Sequence, residues 1–211
     1  MSILEPVRKD IENQKQIKTH SAMIRLWHWS NTLIITGSLV TVLINSTLFE
    51  DKLLRSTVES RSLLETLEDK VWGLHIYFGY ALAALFLFRI ILEFFQRPKQ
   101  KFFHKFKVAY QDYFILKHQR QMARRELAVK VAYIIFYVLI AILVISGLTM
   151  AFEDEIGLQR SFAHSVKEFH GFCMYLIIAF IGVHLAGVIM AERKQSKGIV
   201  SDMINGGAND A

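Results

Sequence analysis

Four stretches of the 211-residue chain are almost free of charge, and strongly polar segments separate them. They cover residues of about 23–49, 70–96, 127–152 and 166–192. A helix rises about 1.5 Å per residue, so roughly 20 apolar residues cross a hydrocarbon core about 30 Å thick. Each stretch meets that length, and each exceeds what a helix buried in a soluble core normally needs. The pattern predicts an all-α integral membrane protein, a four-helix bundle forming a single domain over residues 1–211. The two prolines, Pro6 and Pro98, both fall outside the apolar stretches. Nothing therefore breaks the helices from within.

The connections differ in sign. Between Arg97 and Lys130 the chain is dense in lysine and arginine, with only Asp112 and Glu126 opposing them. The N-terminal segment carries Arg8, Lys9, Lys15 and Lys18, and the C-terminal one Arg193, Lys194 and Lys197. The other two connections, "FEDKLLRSTVESRSLLETLEDK" and "FEDEIGLQRSFAHSVKE", are acidic. Cytoplasmic loops collect lysine and arginine. Both termini and the basic loop 97–126 are thus expected in the cytoplasm, with the acidic connections outside. The N-terminal "MSILEPVRKDIENQKQIKTHSAM" lacks the apolar core of a signal peptide and is expected to stay on the side where it is made.

Composition agrees. The chain is 53% hydrophobic and 21% charged, with mean hydropathy +0.30. That is too apolar for an ordinary soluble domain and too charged for membrane throughout. The net charge of +6 is an address for topology, not a sign of nucleic-acid binding. One cysteine, Cys173, excludes an internal disulfide framework, a cysteine-ligated iron–sulfur cluster and a CxxCH haem-attachment motif. It reads as an inert core residue.

Ionisable groups inside a span are costly, so each is a functional candidate. Of the eight histidines, His104 and His118 lie in the basic loop, His20 precedes the first span, and His164 lies in an outer connection. The remaining four pair by depth: His28 and His184 toward the inner leaflet, His75 and His170 toward the outer. His170 and His184 are about 14 residues apart, which leaves their side chains within about 40° on one helix face. His164 is about 20 residues from His184, roughly 200° around, and cannot share that face. The ordinary alternative is four interfacial histidines satisfied by water. Two pairs at matched depths favour a different use: each pair can clamp one haem iron from both sides.

Neighbouring residues suit such a cofactor. Gly79 lies one turn from His75, Gly171 adjoins His170, and Gly182 and Gly187 flank His184, where a flat group needs room. Arg25, three residues before His28, and Arg89, toward the inner end of the second helix, are candidates to meet haem propionates. Small residues also serve helix packing, and arginines also snorkel to lipid phosphate. Without a CxxCH motif the haems are expected to be non-covalent, of b type.

The segments "HSAMIRLWHWSN", "LHIYFGYALAALFLFR", "SGLTMAFEDEIGL" and "EFHGFCMYLIIAFIGVHLAGVIMAERKQSKGIVSDMINGG" resemble the four helices of bacterial cytochrome b561 proteins. Related b-type subunits occur in hydrogenases and in thiosulfate or formate oxidoreductases. The resemblance covers roughly Thr19 to Gly207. It implies a four-helix bundle with two haems b ligated by His28 with His184 and by His75 with His170.

The expected function is electron transfer across the inner (plasma) membrane, between the quinone pool and a redox partner protein of a respiratory chain. A c-type cytochrome or a dehydrogenase or hydrogenase subunit would be such a partner. A stand-alone superoxide:quinone oxidoreductase is the alternative, and the acidic outer connections disfavour an anionic substrate. A non-redox scaffold or transporter is poorly supported, because no span is interrupted by proline. The quinone headgroup is expected near His20, Arg25 and Trp29. The mixture of aromatic and basic residues in "FFHKFKVAYQDYFILKHQRQ" predicts an amphipathic helix lying on membrane lipid at the inner interface.

Overall fold

The computed structural model describes residues 22–49, 58–95, 102–111, 113–114, 120–194 and 198–206. Every regular element among them is helical. In chain order these are α1 (Ala22–Ile44) and a wide π turn (Asn45–Phe49), then α2 (Val58–Phe95) and α3 (Phe102–Gln111). Next come α4 (Arg120–Ala151), α5 (Arg160–Lys194) and the short α6 (Ile199–Asn205). The chain is an all-α membrane protein, as its apolar pattern predicts. It divides into two compact units, one of residues 31–180 and one of residues 1–30 with 181–211.

Among the described residues, three helices are long and apolar enough to span a bilayer: Arg61–Phe95, Leu127–Ala151 and Arg160–Arg193. The expected first span, about 23–49, is present as α1 and its π turn, but no stretch within it is as continuously apolar as in those three. Its 23 residues still measure about 34 Å. Ser30, Asn31, Thr32, Ser38 and Thr41 lower its hydropathy, and Asn31 and Thr41 are buried. The polarity of α1 is therefore turned partly inward.

The helices also outrun their apolar stretches. The second was expected near residue 70 and begins at Val58, the third near 127 and begins at Arg120, the fourth near 166 and begins at Arg160. Hydropathy marks where lipid ends, not where a helix ends. Segments such as "VESRSLLETLEDK" are rich in leucine and glutamate, good helix formers that continue the helix into water. The connection between α4 and α5 shrinks accordingly to residues 152–159, where Gly157 takes φ 62° to turn the chain. His164, expected in a connection, sits on α5. The basic loop 97–126 contains α3 and the start of α4. Of the amphipathic helix expected over 102–120, residues 102–111 are helical as α3, which packs on α4 and buries Ala109, and residues 115–119 lie outside the described residues. His20 and His118 lie outside the described residues.

Side-chain exposure is the reverse of that in a soluble protein. Leu33, Phe95 and Val183 are each more than 70% exposed, in the company of many other large apolar residues. Such a surface is stable only against hydrocarbon. Within the unit of residues 31–180, Leu82, Leu139, Ile140, Cys173 and Ile177 are buried. Cys173 is a free thiol at 2% exposure, in keeping with an inert core residue.

Candidate functional site

The unit of residues 31–180 brings His75 of α2 and His170 of α5 face to face. Their ring centroids are 6.4 Å apart and their planes lie at 79°. They share a cavity of about 720 Å³, a size that accommodates a cofactor. Gly79, Gly147 and Gly171 line it, and the charged or polar lining residues include Glu153, His164 and Lys167. A β-carbon added at Gly79 would meet nothing within 4 Å, whereas one at Gly147 would stand 3.4 Å from His170 Cε1. Gly79 leaves the cavity open. Gly147 lets α4 approach the His170 ring.

Hydroxyl groups hold both rings from behind. His75 Nδ1 lies 3.1 Å from Thr41 Oγ1 and 3.3 Å from both Ser38 Oγ and the Ser38 carbonyl. His170 Nδ1 lies 2.8 Å from Ser146 Oγ. Thr41 and Ser146 are themselves buried, at 5% and 7% exposure. His164 lines the same cavity, and its Nε2 is 3.5 Å from Glu168 Oε1.

The second pair lies within the other unit. His28 of α1 and His184 of α5 have ring centroids 6.2 Å apart, with planes at 55°. Trp29 stacks edge-on against His28, and its indole N–H donates to the Met203 carbonyl at 3.0 Å. α6 is fixed in this unit by Glu192, whose carboxylate accepts the Gly198 N–H at 2.8 Å and the Val200 N–H at 3.2 Å. The Arg25 guanidinium packs against Gly206, at φ 79°, where a β-carbon would have no room. Two of the groups expected at a quinone headgroup, Arg25 and Trp29, are thus engaged by the C-terminal segment. Arg89 stands in the unit of residues 31–180, where it donates to Tyr137 Oη at 3.1 Å and to Glu93 Oε2 at 3.3 Å.

These geometries can be tested against a metal. An imidazole nitrogen lies about 1 Å from its ring centre and bonds a first-row metal at about 2.0–2.1 Å, so two imidazoles across one metal have centroids about 6 Å apart. Both pairs match. Among the described residues no cluster of three or more His, Cys, Asp or Glu could chelate a bare ion. A metal that brings its own equatorial ligands needs only two axial donors, and a porphyrin iron is such a metal.

Residues 19–206 match prokaryotic cytochrome b561. The chain belongs to that family. Comparison with curated proteins gives no match, and comparison with solved structures gives none either. Membership of the cytochrome b561 family makes this a multi-pass membrane cytochrome that binds haem b and transfers electrons. The donor set fits that cofactor: paired neutral imidazoles, a cavity between them, and glycines where a flat group needs space.

Sequence reasoning brought the four histidines and Gly79 to notice. It missed Ser38, Thr41, Ser146, Gly147 and Lys167. Ser38 and Thr41 lie about 37 and 34 residues from His75, on another helix, so no local spacing marks them. Ser146 and Gly147 stand in the quoted "SGLTMAFEDEIGL", and a polar Ser-Gly pair within an apolar span was the available signal.

Proposed function

We propose that this cytochrome b561 holds two haems b, one between His75 and His170 and one between His28 and His184, and carries electrons between the membrane quinone pool and a redox partner protein. The observation that carries this reading is the recurrence of one arrangement. Two imidazole pairs, each from two different helices, stand at 6.4 Å and 6.2 Å centroid separation. Water-satisfied interfacial histidines have no reason to adopt that spacing twice.

Haem b, held by His75 with His170 and by His28 with His184, would supply a one-electron iron couple. The chain's own residues orient and insulate it. The Ser38, Thr41 and Ser146 hydroxyls aim the outer rings. Leu82, Ile140 and Ile177 give the cavity apolar walls, and Lys167 at its edge offers a cation to a propionate. Arg25, one helical turn from His28, is the corresponding cation of the second pair. The engagement of Arg89 by Glu93 and Tyr137 supports a packing role over propionate binding.

Charge asymmetry supports a cytoplasmic location for both termini, and helical spans of this kind support the inner (plasma) membrane. The acidic surface of α2, with Glu65, Glu68 and Asp69, suits a basic soluble partner such as a c-type cytochrome. The purified protein should contain two haems b per chain by pyridine haemochrome, both low-spin. One haem, none, or a high-spin spectrum would overturn the assignment.

A further inference from the structure

The geometry points to Ser146 of α4 and the Ser38–Thr41 turn of α1 as positioning residues that lock His170 and His75 in one tautomer. In that tautomer Nδ1 carries the proton and Nε2 presents its lone pair to the cavity. The inference rests on the reading that this pair ligates a haem.

The argument is a count of protons. A hydroxyl has one proton and two lone pairs. Ser146 Oγ lies 2.7 Å from the Ile142 carbonyl oxygen, which can only accept. Two oxygens so close need a proton between them, and only the serine can supply it. That proton is committed to the helix backbone, in the back-bonding that serine adopts inside helices. The hydroxyl is left as an acceptor toward His170 Nδ1 at 2.8 Å, so Nδ1 must donate.

His75 repeats the logic with different parts. Thr41 Oγ1 lies 2.6 Å from the Ser38 carbonyl and commits its proton there. It can only accept from His75 Nδ1 at 3.1 Å. The Ser38 carbonyl, 3.3 Å from the same nitrogen, also only accepts. Two acceptors thus call for a proton on Nδ1, and the Ser38 hydroxyl, 3.3 Å from the same nitrogen, can turn its lone pair to it as a third.

All these acceptors are neutral. A carboxylate in their place would draw the Nδ1 proton strongly and make the ligand nitrogen much more basic. Buried hydroxyls and a carbonyl give a weaker pull, so each ligand stays a neutral imidazole in fixed orientation. Removing an acceptor lowers the electron density on Nε2, which disfavours the ferric state relative to the ferrous one. The unmet Nδ1 proton also frees the ring to turn.

The test uses the purified haem-loaded protein carrying Ser146→Ala, Ser146→Thr or Thr41→Val. Redox titration, low-temperature EPR and the rate of haem transfer to an excess of apomyoglobin are measured. Ser146→Ala and Thr41→Val should each shift one midpoint potential positive and alter one low-spin EPR signal. They should also weaken retention of that haem about 10–100-fold, the usual effect of losing such a partner. Ser146→Thr keeps the acceptor and should restore wild-type values. Unchanged potential, EPR signal and retention in both Ser146→Ala and Thr41→Val would overturn the inference, as would failure of Ser146→Thr to restore them. A His75→Ala variant separates the two readings. If it retains every haem of the wild type, the ligand assignment itself fails. If it loses one while the hydroxyl variants change nothing, only the tautomer lock fails.

Discussion

Gly147 offers a sharp test of the cavity, because the structure gives the distance that a side chain there must respect. Its β-carbon would sit 3.4 Å from His170 Cε1 and 3.9 Å from Nδ1. Alanine places that single atom in tight but tolerable contact. Glycine in a helix interior costs roughly 0.5–1 kcal/mol relative to alanine, so Gly147→Ala should be close to neutral or slightly stabilising. Leucine adds three more carbons on the side where the ring stands. Overpacking of this kind costs about 1–3 kcal/mol. Turning the His170 ring aside also gives up the Ser146 bond, about 1 kcal/mol, which roughly cancels the helix gain. The net of about 1–3 kcal/mol corresponds to roughly 5- to 150-fold weaker haem binding at tenfold per 1.4 kcal/mol. Haem transfer to excess apomyoglobin, followed in the Soret band, measures it directly. Gly73→Ala is the control, since its β-carbon meets nothing within 4 Å and it does not line the cavity, and it should release haem at the wild-type rate. The reasoning fails if Gly147→Leu holds haem as tightly as the wild type, or if Gly73→Ala loosens it as much as Gly147→Leu does.

His75→Ala and His170→Ala should lose the same haem, and His28→Ala and His184→Ala the other; absorption spectra of the four variants falling into any other grouping would contradict the pairing. Tyr137→Phe removes one partner of Arg89 and should lower stability by about 1 kcal/mol while leaving haem content unchanged, read by thermal melting with the Soret band as probe. Residues 102–111 should exchange amide hydrogens slowly in nanodiscs if α3 lies on lipid, and rapid exchange throughout would assign it to solvent. Reversing Glu65, Glu68 and Asp69 to lysine should slow electron exchange with a cationic cytochrome c and weaken its dependence on salt, over a screening length of about 8–10 Å. With superoxide the same reversal should accelerate the reaction.

The histidines and spans were legible because both rest on composition within one segment. An imidazole inside an apolar stretch is visible wherever it stands, and the match of depths depends only on counting residues from the ends of each run. Helix ends were misjudged by 6 to 12 residues at the N-termini of α2, α4 and α5. There the apolar signal stops while the hydrogen-bonded ladder runs on, through leucine and glutamate in α2 and through arginine and glutamine in α4. Arg89 shows the limit of such reading: a cation near the end of a span suits a propionate and an intrahelical glutamate equally, and its bonds to Glu93 and Tyr137 arise only in the fold. The hydroxyls behind His75 and His170 were hidden more deeply. Ser38, Thr41 and Ser146 are short, uncharged and common in helix-packing positions, so their role exists only once α1 meets α2 and α4 meets α5.

The low hydropathy of α1 follows from the same contacts. A span built to float in lipid would replace Asn31, Ser38 and Thr41 with leucine or valine. Here Asn31 and Thr41 are 4% and 5% exposed, turned away from lipid. A buried hydroxyl with no partner costs about 1–3 kcal/mol. Thr41 escapes that cost by bonding backward to the Ser38 carbonyl and sideways to His75. Each bond satisfies one group and directs another, so the polarity that weakens α1 as a membrane span is the polarity that orients a ligand on α2. Asn45 marks where this economy ends: it is 5% exposed in the π turn, and neither its amide nitrogen nor its oxygen has a hydrogen-bond partner among the described residues. Widened turns of this kind cluster at functional positions. Asn45 lies one helical turn beyond Thr41, which places the π turn next to the His75 support and not at a random point of the helix.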